Sequence, residues 1–162
     1  MQNVVDMKQL AENLGLVLVD RKMTMCTAES CTGGGIANLI TAIPGSSVWF
    51  DRAYVTYSNQ AKISMLGVDP QTLEQYGAVS EQVAREMASG ALQHSATDVA
   101  VSVTGVAGPG GGTAQKPVGM VCFGVAHGGI VESATEHFKG DRDAVRTASV
   151  RFAIERVLTR LA

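Results

Sequence analysis

The 162-residue chain is poor in charge, in aromatic rings and in the clusters of side chains that hold metals. Charged residues make up 17% of it and aromatic ones 5%, against 46% apolar, a balance that favours a packed core over disorder. Neither sign of charge dominates. A formal net charge of -2 removes the electrostatic basis for binding nucleic acid or an anionic membrane. No apolar run approaches a membrane span, and no signal-peptide pattern opens the chain. The cysteines, Cys26, Cys31 and Cys122, are three and scattered, which fits a reduced cytoplasm better than a disulfide framework. His94, His127 and His137 stand apart and no C-x-x-C occurs, so no metal is expected. Without repeat or linker, the expectation is one domain over residues 1–162 with a sizeable core.

The chemistry that is present is concentrated in Thr27-Ala28-Glu29-Ser30-Cys31-Thr32-Gly33-Gly34-Gly35. Met23 to Ala28 is apolar and β-favouring, the length of one buried strand. Ile36, Ala37, Leu39, Ile40 and Ile43 then recur at helical spacing until Pro44-Gly45, predicting a helix over 34–43. Carboxylate, hydroxyl and thiol are thus packed into a strand-to-helix junction, where free N–H groups and the helix dipole favour negative charge. Three successive glycines cost a helix roughly 1 kcal/mol each. A functional corner would compensate for that.

Elsewhere, Met7, Leu10, Ala11, Leu14, Val17 and Leu18 share one face of an N-terminal helix with Asp6 as its cap. Val48 to Tyr57 reads as a second strand. Ser58 or Asn59 caps a short helix carrying Lys62, and Asp69-Pro70 opens another. Ser80 caps a helix with Val83, Ala84, Met87, Ala88, Ala91 and Leu92 in one stripe, and Val99 to Val103 is a strand buried on both faces. Val118–Ala126 and Ile130–Phe138 flank His127-Gly128-Gly129 as a hairpin. A last helix runs from Asp141 to Leu161. Early alternation and a late hairpin give an α/β domain with a mixed, partly parallel sheet. The Ser30 corner and the glycine-dense loop 105–112 should face each other at the ends of its parallel strands. Trp49 and Phe50 are assigned to packing or to a subunit contact, and a homo-oligomer, a dimer for preference, could bury Trp49 and an exposed side of the sheet.

Thr27 to Gly34, Val55-Thr56-Tyr57-Ser58-Asn59-Gln60-Ala61-Lys62, Gly77-Ala78-Val79-Ser80, Gly105-Val106-Ala107-Gly108-Pro109, Lys116-Pro117-Val118-Gly119 and Gly140-Asp141-Arg142 resemble the CinA C-terminal domain, in order and over almost the whole chain. The resemblance implies a three-layer α/β/α sandwich. For a chain of this domain alone it implies a nicotinamide-nucleotide amidohydrolase, which converts nicotinamide mononucleotide to nicotinate mononucleotide and ammonia in pyridine-nucleotide salvage, without a cofactor. Many members carry Asp where this chain has Gly110. Two other readings stand beside it: a non-catalytic, competence-associated nucleotide-binding domain, and an amidase with another substrate.

Hydrolysing a carboxamide needs a nucleophile, a base and donors for the oxyanion. The resemblance puts the nucleophile on Ser30 and the base on Lys62. A lysine base must be neutral, so its pKa has to fall from about 10.4 toward about 7–8, a difference of roughly 3–5 kcal/mol. Otherwise Lys62 is an exposed helix lysine, Ser30 a helix cap, and Cys31 the alternative nucleophile. Glu29 is placed with the catalytic pair: it could orient Lys62, bind a ribose hydroxyl or cap backbone amides. The amides of Cys31, Thr32, Gly33 and Gly34 are the oxyanion candidates. Thr104, Gly105, Gly108, Pro109, Gly110 and Gly111 could nest the phosphate, although the spacing fits neither a Rossmann nor a P-loop motif. Arg142 and Arg146, one turn apart, could clamp that phosphate. Tyr57 and Asn59 could meet ring and ribose.

Overall fold

The structure, a computed structural model, describes the backbone of residues 2–162 and side chains from residue 6 onward. Helix α1 (Gln2–Asp20) leads into strand β1 (Met25–Glu29), helix α2 (Gly35–Thr41), a 3-10 turn (Ser46–Val48) and strand β2 (Phe50–Val55). Helices α3 (Asn59–Leu66), α4 (Pro70–Tyr76) and α5 (Glu81–Gln93) follow, then strands β3 (Val99–Gly105), β4 (Met120–His127) and β5 (Ile130–His137), and helix α6 (Arg142–Leu161). The strands form one sheet in the order β2-β1-β3-β4-β5. β1 pairs in parallel with β2 and β3, and β4 runs antiparallel to β3 and β5. Helices α1, α2 and α6 cover one face, and α5 with α3 and α4 the other. The sandwich and its mixed sheet are as expected. Among the described residues no helix is long and apolar enough to cross a membrane.

Short polar side chains set the helix starts, as they do wherever first-turn N–H groups lack partners. Ser58, Asp69, Ser80 and Asp141 each accept a backbone N–H from the helix they precede. Asp6 does not; it lies inside α1, which starts at Gln2. The second strand is also shorter than its pattern suggests. Ser46–Val48 winds into a 3-10 turn after the left-handed Gly45, which carries Trp49 inward. Trp49 is 3% exposed and packs on α1 at Gly15, where a Cβ would lie 2.8 Å from the indole. It belongs to the core and not to a subunit contact. Helices pack against both faces of the sheet.

Side chains alternate across the sheet, and here the alternation sorts them by size. Val99, Val101, Val103, Phe123 and Val125 face α1, α2 and α6, while Cys26, Ala28, Ala100 and Ala126 face α5. Each large aliphatic side chain buried on the first face contributes about 1.5–3 kcal/mol. The small residues on the second let α5 approach closely. Helix α3 is as close to α5 at Gly90: a Cβ there would lie 1.9 Å from the carbonyl oxygen of Leu66 in α3. Gly90→Ala should therefore cost about 2–3 kcal/mol and lower the thermal unfolding midpoint by roughly 5–10 °C. An unchanged midpoint in a circular dichroism melt would contradict this contact.

Candidate active site

Glu29 at the end of β1 is in register with Val55 of β2 and Val103 of β3. The chain leaves β1 through α2 over one face and returns to β3 through α3, α4 and α5 over the other. Connections that diverge in this way open a crevice at the strand ends. It holds a cavity of about 340 Å³, bordered by the Ser30 corner, by residues 57–62 and by the loop after β3. The two loops expected to face each other do so.

The Ser30 N–H still donates to the Val103 carbonyl, at 3.0 Å, so strand alternation runs one residue past β1. Glu29 consequently points toward α2, and Ser30 toward the opposite layer, where α3 carries Lys62. Lys62 Nζ lies 3.0 Å from Ser30 Oγ and 2.9 Å from the Thr56 carbonyl oxygen. Lys62 is 1% exposed, so it is no solvated helix lysine. Burial lowers its pKa below the ordinary lysine value, with Cys31 opposing more weakly. A neutral amine can donate one N–H to the Thr56 carbonyl and keep its lone pair for the serine proton. Cys31 also borders the cavity, but burial pushes its thiol up to about 11. It stays a thiol at neutral pH and is a poor nucleophile.

Ser30 is not the cap of α2; Gly34, at φ 97°, occupies that place. Gly33 is left-handed as well, at φ 57°. Two consecutive left-handed residues explain the glycines, which adopt this conformation at little cost. The free amides of the helix start are not offered to a ligand. Glu29 Oε1 accepts from Ile36 N–H at 2.9 Å and Thr32 Oγ1 at 2.7 Å; Oε2 accepts from Ala37 N–H at 3.0 Å and Thr27 Oγ1 at 3.2 Å. Of the three roles weighed for Glu29, capping amides is the one its contacts show; it is 0% exposed, on the far side of the sheet from Lys62, and is not in direct contact with the pair it was placed with. The oxyanion assignment narrows too. Gly33 N–H is spent on the Ser30 carbonyl, and of Cys31, Thr32, Gly33 and Gly34 only Cys31 borders the cavity.

Arg146 is corrected likewise. Its Nε and Nη2 donate to the Cys31 and Thr32 carbonyls, both at 3.1 Å, and it lies outside the cavity behind the corner. Arg142 does border the cavity; it donates to the Gly108 carbonyl at 2.7 Å and to Tyr57 Oη at 3.1 Å, joining three loops at the mouth. Tyr57, 63% exposed, is no core residue. Asn59, Thr104, Gly105, Gly108, Gly110 and Gly111 border the cavity, whereas Pro109 lies on a neighbouring depression. Thr104 Oγ1 is engaged with the Ala78 carbonyl at 2.9 Å. A Cβ on Gly110 would meet nothing within 4 Å, so the aspartate that the resemblance leads one to expect at this position would fit. Ala78, Val79, Val106 and Ala107 also line the site; aliphatic side chains without reactive groups carried no chemical signal, though they fall within motifs quoted above.

The model of the CinA C-terminal domain matches residues 7–161. The chain belongs to the CinA C-terminal domain family. Two stand-alone relatives are similar over nearly their whole length. The nicotinamide-nucleotide amidohydrolase PncC of Enterobacter agglomerans is 54% identical, over 93% of this chain and 92% of that protein. The Escherichia coli K12 protein of the same name is 52% identical over the same shares. A longer CinA-like protein of Chlorobaculum tepidum is 49% identical over 97% of this chain but only 38% of its own length. Among solved structures, the CinA-superfamily protein of Escherichia coli superposes with a TM-score of 0.92 at 38% identity, covering 95% of this chain and 90% of that one.

The sign of the Lys62 shift predicts how stability depends on pH. Below its lowered folded pKa, both states are protonated and burial carries its full cost. Between that pKa and the unfolded value of about 10.4, the unfolded state holds more protons, so stability rises with pH. Urea unfolding at pH 7, 8 and 9 should show the native protein gaining stability relative to Lys62→Met as pH increases. A flat or opposite difference would mean that the amine is not held neutral.

Proposed function

We propose that this CinA-family chain is a nicotinamide-nucleotide amidohydrolase that deamidates nicotinamide mononucleotide by acyl transfer, with Ser30 as nucleophile and Lys62 as base. The observation that carries the mechanism is the 3.0 Å contact between Ser30 Oγ and a lysine amine withdrawn from solvent. The near full-length similarity to two proteins named as that amidohydrolase supports the substrate.

Lys62 takes the Ser30 proton as Oγ attacks the carboxamide carbon, giving a tetrahedral oxyanion. Cys31 N–H at the corner and amides of the loop after β3 are the candidate donors for it. The protonated amine returns its proton to the leaving nitrogen, ammonia departs, and an ester links Ser30 to the nicotinoyl group. Lys62 then takes a proton from water, whose oxygen attacks the ester. The bond to Oγ breaks as Lys62 returns that proton to it, releasing nicotinate mononucleotide and restoring the Ser30 hydroxyl and the neutral amine. Effective base catalysis requires a pKa near the working pH, which the buried amine approaches from above. Arg142 and the Gly105–Gly111 loop form the side of the cavity suited to the phosphate.

Ammonia release from nicotinamide mononucleotide by the purified chain tests this reading. Ser30→Ala and Lys62→Ala should each lose at least about 10³-fold in kcat, while Cys31→Ala keeps kcat within roughly tenfold. Turnover surviving Ser30→Ala but lost in Cys31→Ala would transfer the nucleophile to the thiol. Binding without turnover in the native protein would favour the nucleotide-binding domain instead.

A further inference from the structure

Glu29 borders neither the cavity nor Lys62, yet it is linked to both members of the Ser30–Lys62 contact, to Ser30 through the chain and to Lys62 through main-chain hydrogen bonds. On one side its carboxylate gathers four donors, binding the strand end at Thr27, the corner at Thr32 and the first turn of α2 at Ile36 and Ala37. Ser30 is the next residue along that clamped backbone. On the other side the Glu29 main-chain carbonyl accepts the Thr56 N–H at 2.8 Å. The Thr56 carbonyl in turn accepts from Lys62 Nζ at 2.9 Å. We propose that Glu29 is a positioning residue for the reaction: by clamping the corner behind Ser30 and the backbone that holds Thr56, it sets the approach of serine oxygen and lysine nitrogen. This rests on the Ser30–Lys62 reading above.

Carbon-for-carbon replacement by glutamine exposes the role. All four partners donate, and a carboxylate has only acceptor oxygens to meet them. Glutamine offers one acceptor end and one donor end. A threonine hydroxyl can turn and accept from the new NH₂ group; a main-chain N–H cannot. Whichever way the amide lies, Ile36 or Ala37 faces a donor, and the corner must shift. A displacement of about 1 Å between reacting groups is enough to cost roughly 10² in rate.

The test compares kcat, KM and the pH profile for nicotinamide mononucleotide in the native protein, Glu29→Gln and Thr32→Val, with rates taken per folded molecule from unfolding curves. For Glu29→Gln, kcat should fall at least about 30-fold with KM within roughly threefold. The acidic limb of the kcat/KM profile should move to higher pH by about half a unit or more, because a displaced Lys62 regains solvent. Thr32→Val, which removes only the shortest of the four bonds, should show the same pattern on a smaller scale, and it answers the question if Glu29→Gln does not fold. A folded Glu29→Gln protein with native kcat would overturn the proposal. So would losses that only track the folded fraction while the pH limb stays in place. Ser30→Ala and Lys62→Ala run in parallel: if either retains turnover, the Ser30–Lys62 reading fails, and this proposal fails with it.

Discussion

The structure turns on one costly arrangement, a lysine amine kept out of water. A buried ammonium without an ion partner is strongly disfavoured, and the usual response is loss of the proton. Lys62 is arranged for that outcome: its contacts are a carbonyl oxygen and a serine hydroxyl, with no carboxylate among them. What would be a liability in a core is, where a hydroxyl stands at 3.0 Å, the arrangement that the proposed base requires. The carboxylate that could have re-ionised the amine, Glu29, is adjacent to Ser30 in sequence but turned to the other face of the sheet.

That separation follows from strand geometry. Successive residues of β1 point to opposite layers, so Glu29 serves α2 while Ser30 meets α3. The size-sorted faces of the sheet make the arrangement firm. Small residues beneath α5 allow it to sit close, and α3 docks on α5 through the Gly90 contact with the Leu66 carbonyl. Lys62 is carried on that docked helix. At the corner the left-handed Gly33 and Gly34 turn the chain sharply, and Arg146 holds the Cys31 and Thr32 carbonyls from behind.

Much of this was legible from residue order. Period-two and period-3.6 patterns located most elements, and Ser58, Asp69, Ser80 and Asp141 marked helix starts because capping is a local interaction. The crevice followed from topology, and the residues around Ser30 and Lys62 carried the family resemblance. What residue order left open or misread is decided by long-range partners. Nothing local says that Trp49 turns into α1, that Arg146 spends its donors on the corner, or that the amides of α2 are claimed by Glu29. Spacing on α6 made Arg142 and Arg146 look equivalent; one turn of helix separates the cavity mouth from the back of the corner.

The most direct measurement is a carbon-13 NMR titration of the protein with labelled lysine ε-carbons, the Lys62 signal being assigned by its absence in Lys62→Met. A buried neutral amine should titrate below the ordinary lysine value of 10.5, and its signal should move back toward that value in variants that admit water to the corner. A Lys62 signal titrating at 10.5 or above would mean a charged amine beside Ser30, which could hold the hydroxyl but could not take its proton.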